Sequence, residues 1–396
     1  MALPTITAEA ALTTDPGAAP AWTDLSDYLE DFIVHRGRDQ ELSRFGAGTA
    51  TLVLANEDRR FDPTHAAGPY YGNVLPMRRI RIRATFAAVT YDIFNGYADG
   101  WGQSYAPPAV ATCTLTATDA FKVLAGIDLA VASYPAGQSS GDRIHDILDA
   151  AGWPAADRDI DTGAAVLQAA DVSGSALAAL QKIEETEQGR LYVTAGGLVR
   201  FVGRDSLLTA PYTVAQANFG DTPPELEYAD LKWRYDDQTI VNEANVTRAG
   251  GATQTVSDAA SQTRFLRRSR TIGGLLHESD LASADLANWI VSHYSEPVMR
   301  ATGMRLEPSV SASLGTSHYP QVLGRELGDR VNVKRRPQGV GSAIDQDALI
   351  EGITHQGHGT QIWDTDWNLS PADAQIYWAL GVAGQSELGT TTRLSY

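Results

Sequence analysis

The chain has 396 residues, 43% of them hydrophobic and 20% charged, with a formal net charge of −17. That length sets an expectation of ~2–4 domains with more than one core. The acid excess excludes a surface that grips nucleic acid throughout, because phosphate binding depends on Lys and Arg, and it disfavours docking on an anionic membrane.

The only cysteine is Cys113, which excludes a disulfide within the chain and a cysteine-based zinc site. It lies in the alternating run Ala111–Leu115 and reads as a buried thiol. No stretch of about 18 apolar residues occurs, so no membrane span is expected. The N-terminus lacks the basic and then apolar pattern of a signal peptide, so the expectation is a soluble chain made in a cytoplasm.

Residues 1–20 are rich in Ala, Thr and Pro and read as a flexible or extended N-terminal arm. Residues 21–125 read as a β domain. Trp22, Leu25, Tyr28 and Leu29 suit one buried face, and a strand follows around Phe32–His35. Thr49–Leu54 is rich in Thr, Val and Leu, and ends in the charged turn Asn56–Arg60 before Pro63. From Arg79 to Phe86, Ile80, Ile82, Ala84 and Phe86 alternate with Arg79, Arg81, Arg83 and Thr85, which predicts a half-buried strand with guanidinium groups on one face. Strands are also predicted over Tyr91–Trp101 and Ala109–Thr118, and Asp119 caps a helix over Ala120–Ala125.

Residues 126–205 read as a small α/β insert domain. Helices are predicted at Gly141–Ala151 and Ser173–Gln188, followed by a hairpin over Arg190–Val202. Residues 206–380 read as a second β domain with a helical insert near 258–297. Its strands are expected at 227–234, 240–247, 298–307, 330–336, 347–356 and 360–369. Ser279 is the candidate N-cap of a helix running to Tyr294. Residues 381–396 read as a polar C-terminal tail.

The two β regions echo each other in order. Val34–Gly37 matches Val246–Gly250, Thr49–Asn56 matches Ala301–Glu307, and Arg79–Arg83 matches Arg330–Lys334. Ile93–Asp99 matches Leu349–His355, and Thr112–Ala120 matches Trp363–Ala374, both segments of this last pair running into an Asp-Ala helix start (Asp119-Ala120, Asp373-Ala374). A repeated sequence unit implies a repeated structural unit. Three chains with two like units each make a ring of true three-fold and pseudo-six-fold symmetry. The loop Asn56–Pro63 has no counterpart in this alignment, which makes Arg59, Arg60 and Asp62 candidates for a contact unique to the first unit.

No zinc-protease, serine-hydrolase, P-loop or dinucleotide pattern occurs. His355 and His358 stand i, i+3 on a predicted strand and so face opposite sides, which argues against a shared metal. Asp364 and Asp366 share a strand face between Trp363 and Trp367. They read as an acidic edge, with a calcium site or a glycosidase pair as alternatives. The run Glu184-Glu185-Thr186-Glu187 reads as a solvated face. Arg79, Arg81 and Arg83, and the cluster Arg264–Arg270 with Arg267 and Arg268, read as pairing with carboxylates of a neighbouring strand or subunit; phosphate binding is the alternative. No metal, cofactor or catalytic residue is assigned.

The run from Arg36 to Pro63, then Leu75–Ala84 (LPMRRIRIRA) and Phe94–Trp101, resembles the hub or minor tail proteins of long-tailed, siphovirus-type bacteriophages. Asn245–Asp258, Leu327–Val333, Ile350–His355 and Trp378–Tyr396 extend the resemblance over about residues 20–396. It implies a mainly β fold with α/β inserts: two tail-tube-like β-barrel or sandwich domains separated by smaller insert domains. It implies a non-enzymatic virion protein, made in the host cytoplasm and placed at the tail tip as a homotrimer around the DNA channel. The implied partners are the distal tail protein, the tape measure protein and a central fibre or spike, with DNA passing through without specific binding. Arg59, Arg60, Asp62, Arg79, Arg81, Arg83, Arg267 and Arg268 are then the candidate subunit or ring interface. Two other functions are weighed: a cell-wall glycan hydrolase using Asp364 and Asp366, and a carbohydrate-binding protein using Trp101, Trp363 or Trp367 as stacking platforms.

Overall fold

The computed structural model describes residues 3–106, 110–308, 318–338, 341–358 and 362–372. Side-chain alternation builds its main sheet. In Arg79–Phe86 the even-numbered residues Ile80, Ile82, Ala84 and Phe86 are buried and the arginines between them are not. Ala111, Cys113, Leu115 and Ala117 repeat the pattern in Val110–Thr118. The long strand Val89–Ala106 follows Arg79–Phe86 through Ala87 and Ala88, both at positive φ (48° and 66°). That geometry closes a tight hairpin without the Asn-Gly pair that usually announces one.

The main sheet has 13 strands. Its long members are β1 (Thr5–Ala10), β2 (Leu29–Gly37), β3 (Gly46–Ala55), β4 (Arg79–Phe86), β5 (Val89–Ala106), β6 (Val110–Thr118), β7 (Asp230–Arg234), β8 (Arg300–Leu306), β9 (Arg330–Arg335), β10 (Ile344–His358) and β11 (Ile362–Pro371). The first half pairs in the order β1–β4–β5–β6–β3–β2. The second half repeats the order β9–β10–β11–β8–β7, with the short strand Asn218–Phe219 beside β9 where β1 lies beside β4, though parallel to it rather than antiparallel. The halves join where β2 lies antiparallel on the far part of β10, from Gly37 opposite Gly352 to Asp31 opposite His358. No closed barrel forms among the described residues.

The equivalence extends to single residues. The long central strands share a bulge, at Asp99 in β5 and at Glu351 in β10, each followed by glycine; β5 carries a further one, at Ile93 opposite β4, with no match between β9 and β10. Arg79 pairs with Tyr97 and Arg330 with Leu349; Leu52 faces Leu115 and Met304 faces Trp367. Thus the sequence matches Arg79–Arg330 and Thr49–Ala301 hold in register. Three details differ. Tyr97, not Ile93, is the counterpart of Leu349, and Thr112 matches Asp364. The counterpart of β2 is β7, not the strand around Val246. That strand, Glu243–Arg248, belongs to a separate three-stranded sheet inserted between β7 and β8. The Asp373-Ala374 helix start and residues 381–396 lie outside the described residues.

Of the flexible and extended forms expected for the N-terminal arm, residues 5–10 take the extended one, as a strand of the sheet. Ile6, Ala8 and Ala10 are buried, and β1 pairs along β4 from Thr5–Thr85 to Ala10–Ile80. The β3–β4 connection is matched in the second half by residues 307–329, which carry the short helix His318–Gly324, so a long connection here is common to both halves.

Two further cores lie in the inserts. One draws on α1 (Ala120–Gly126), α2 (Ser140–Ala150), α3 (Ala176–Glu187) and the hairpin Arg190–Val202. Asp119, Ser139 and Ser175 cap these helices by accepting a backbone N–H, each satisfying a donor the helix leaves open. The other joins Ala244, Val246, Ile272 and Leu275 to Leu286 and Ile290 of the Ser279-capped helix Asp280–Tyr294.

Candidate assembly interfaces

The arginine face of β4 meets a carboxylate from β1. Glu9 accepts from Arg81 (2.5 and 3.0 Å) and from Arg83 (2.8 Å). Burial pushes the Glu9 carboxyl up, but the Arg81 and Arg83 guanidiniums outweigh it and hold the group below its ordinary value. Arg81 also lies 4.2 Å over the Trp22 ring, and Arg79 sits 5.9 Å from Tyr97. The expected carboxylate partner is on a neighbouring strand of the same chain. Its position was not legible because Glu9 stands in the Ala- and Thr-rich N-terminal stretch.

The loop after β3 is fixed from within. Asn56 is buried, accepts from the Phe61 N–H (3.0 Å) and donates to Gln103 of β5 (2.7 Å). Asp62 accepts from the Thr64 hydroxyl (2.6 Å) and N–H (2.8 Å) and from Arg59 (2.6 Å), and these bonds hold its carboxyl far below the ordinary range. Arg60 pairs with Asp58 and lies 3.8 Å over Tyr28. Arg59 remains half exposed. In the second insert, Arg267 pairs with Glu243 and Arg268 with Asp237, Arg267 largely and Arg268 half exposed. These interface candidates therefore lie at three separate places.

A fourth cluster, unforeseen from sequence, sits where the halves and both inserts meet. Glu351, 1% exposed, accepts from Arg38 (2.7 Å), Arg190 (3.0 Å) and the Ser370 hydroxyl (2.5 Å). Burial raises its pKa, yet the two guanidiniums and the hydroxyl bring it down to about 2. Beside it is a cavity of about 180 Å³ lined by Arg38, Glu41, Glu184, Arg190 and Tyr294. Burial pushes Glu184 up to about 7, against the backbone N–H of Leu191 that it accepts at 3.0 Å. Glu41, which accepts from the Tyr294 hydroxyl (2.6 Å), is also raised by burial. These residues come from distant segments, so no local spacing announces the cluster.

The acidic run is not the solvated face its composition suggests. Glu184 and Glu187 are buried in α3, and Glu187 accepts from the Ser140 hydroxyl and from the N–H groups of Ala164, Ala165 and Arg204 (2.6–3.0 Å). It satisfies loop donors that would otherwise be stranded.

Trp363 and Trp367 are buried in the core, Trp363 edge-on to Phe32 and Trp367 edge-on to Phe219. Trp101 stacks on Phe61 and donates to the Leu75 carbonyl (3.0 Å). Two of the three rings are thus closed to a sugar. Asp364 and Asp366 flank one cation, Arg305, at 3.1 and 4.0 Å. His355 is buried against Trp363 and hydrogen-bonds Thr365 (2.8 Å); burial lowers its pKa to about 3, so it is neutral. The His358 side chain lies outside the described residues. Cys113 is buried, and burial pushes its thiol up to about 12. Among the described residues no group of three or more His, Cys, Asp or Glu is placed to hold a metal, and no helix is long and apolar enough to cross a membrane.

The strand order and inserts define a class of fold seen in tail proteins. A 43 kDa tail protein of prophage MuSo2 from Shewanella oneidensis superposes with a TM-score of 0.57 at 12% identity, over 94% of this chain and 98% of its own. A tail protein from Neisseria meningitidis MC58 gives 0.59 at 12% identity, over 92% and 96%. The fold of this chain is therefore that of phage tail proteins, mainly β with several units. No protein-family model and no curated protein matches the sequence.

Proposed function

We propose that the chain is a structural hub at the tip of a long phage tail, a homotrimer whose six sheet halves form a pseudo-six-fold ring around the DNA channel. The observation that carries this reading is the duplicated strand order, joined edge to edge by β2 and β10, in a fold shared with tail proteins, one of them from a prophage. A ring of six like units on three chains meets a six-fold tube on one side and a three-fold fibre or spike on the other. Its neighbours are then the distal tail protein, the tape measure protein and the central fibre or spike. The protein is a virion component acting in host attachment and genome ejection, and no catalytic step is assigned to it. The net charge of −17 supports passage of DNA without capture, because an acidic wall repels phosphate. Arg59, Arg267 and Arg268, the most exposed of the candidate interface cations, are placed to add a carboxylate from a neighbouring subunit to the one each already holds. Antibody labelling of intact particles tests the location. Label confined to the tail tip is expected; label along the tube or on the capsid overturns the reading.

A further inference from the structure

The duplication has one unequal feature. In the second half, the far part of β10 (Gly352–His358) is covered on its outer edge by β2. In the first half, the matching part of β5 runs from Gly100 to Ala106, and its partners are β6 on one side and, only as far as the bulge, β4 on the other. Among the described residues no strand covers its outer edge. The stretch Gly100-Trp101-Gly102-Gln103-Ser104-Tyr105-Ala106 carries no charge and no proline, the devices that usually blunt a free edge. The counterpart of β2 is β7, which ends the sheet with its own outer edge unpaired among the described residues. Two complementary edges are thus left over, one on each half.

We infer that β7 of one copy pairs antiparallel with Gly100–Ala106 of the next, as β2 pairs with β10 inside the chain. This rests on the ring reading above and names the contact that closes the ring. The internal junction sets the register. Asp31, Phe32 and Ile33 face His358, Gly357 and Gln356. Their counterparts place Asp230, Leu231 and Lys232 opposite Ala106, Tyr105 and Ser104 of the neighbour. The bulk is exchanged across the two junctions. Inside the chain Phe32 lies over Gly357, where an added Cβ would sit 2.1 Å from its ring. Between copies the smaller Leu231 meets the larger, half-exposed Tyr105. The contact is head to tail, so it propagates from copy to copy until the ring closes.

The hydrogen-bond phase follows too. The Arg38 N–H donates to the Glu351 carbonyl (2.8 Å), so Gly37–Gly352 is a non-hydrogen-bonded pair and, by alternation, so are His35–Thr354 two residues on and Ile33–Gln356 four residues on. Ser104 and Lys232 inherit that type of site, with Cα atoms about 4.5 Å apart, close enough for a disulfide. Tyr105 inherits the position whose N–H points out to the partner strand.

The test is a full-length Ser104→Cys/Lys232→Cys chain, oxidised mildly and run without reductant; native Cys113 is buried and stays out of reach. Covalent dimers passing to closed trimers are expected. Each single variant should give none, and Ser104→Cys/Asp230→Cys, two residues out of register, about tenfold less. Tyr105→Pro should fold, with a melting temperature close to the parent, and fail to trimerise, since proline removes the outward N–H. A chain that trimerises by mass, refuses the Ser104–Lys232 link and tolerates Tyr105→Pro overturns the edge pairing and leaves the ring reading standing. A chain that stays monomeric at every concentration and in the particle overturns the ring itself.

Discussion

In the first half of the sheet the bulge carboxylate, Asp99, lies near the surface with Lys122 (2.5 Å) and the Thr118 hydroxyl (2.7 Å). In the second half Glu351 occupies the same bulge, bonds the matching hydroxyl of Ser370, and is buried between Arg38 and Arg190. The framework is one; what differs is whether another strand unit lies across the outer edge. Where β2 docks on β10, water is excluded, a lysine no longer suffices, and two guanidiniums converge. The local chemistry of each half thus records the company it keeps inside the chain.

The largest test of that comparison exchanges equivalent positions. Glu351→Ala strands two buried guanidiniums and should cost about 3–5 kcal/mol in denaturant unfolding. Equal losses at Glu351 and Asp99 would break the comparison. Glu184→Gln sharpens it through pH. The folded pKa of about 7 lies above the ordinary 4.5, so the unfolded chain ionises first and stability falls as pH rises from about 4.5 to 7. The variant should gain about 1–3 kcal/mol at pH 8 and nothing at pH 4. Glu351 has the opposite sign: its contribution is present above about 4.5 and is lost as pH falls toward 2. Gly357→Ala forces the Phe32 ring aside and should cost about 1–3 kcal/mol, read as a lowered melting temperature. Asp99→Ala closes the series, at below about 1 kcal/mol in the isolated chain, because its ion pair is water-screened.

Much of this architecture was legible in the sequence, for physical reasons. Arg79–Phe86 alternates without interruption because one face is core, and its echo at Arg330–Lys334 survives because the register is fixed from both sides. The β2 counterpart was misplaced because 65 residues of insert (235–299) separate β7 from β8, so adjacency in sequence pointed to Glu243–Arg248. β1 escaped notice because its buried residues include Ala8 and Ala10, small groups that give little hydrophobic signal. Of the candidate interface, the sequence supplied the cations and not their partners. Glu9, Glu243 and Asp237 are acids distant in sequence from their cations, brought close by pairing of strands and inserts, and the Glu351 cluster has no local spacing to read.

The central claim is the ring. A three-dimensional reconstruction of the assembled tail tip, computed without imposed symmetry, tests it most directly. Three copies of this chain should form one closed ring of six similar sheet units, with β7 of each copy against Gly100–Ala106 of the next. A single copy at the tip, or a ring of six copies each giving one unit, would contradict it.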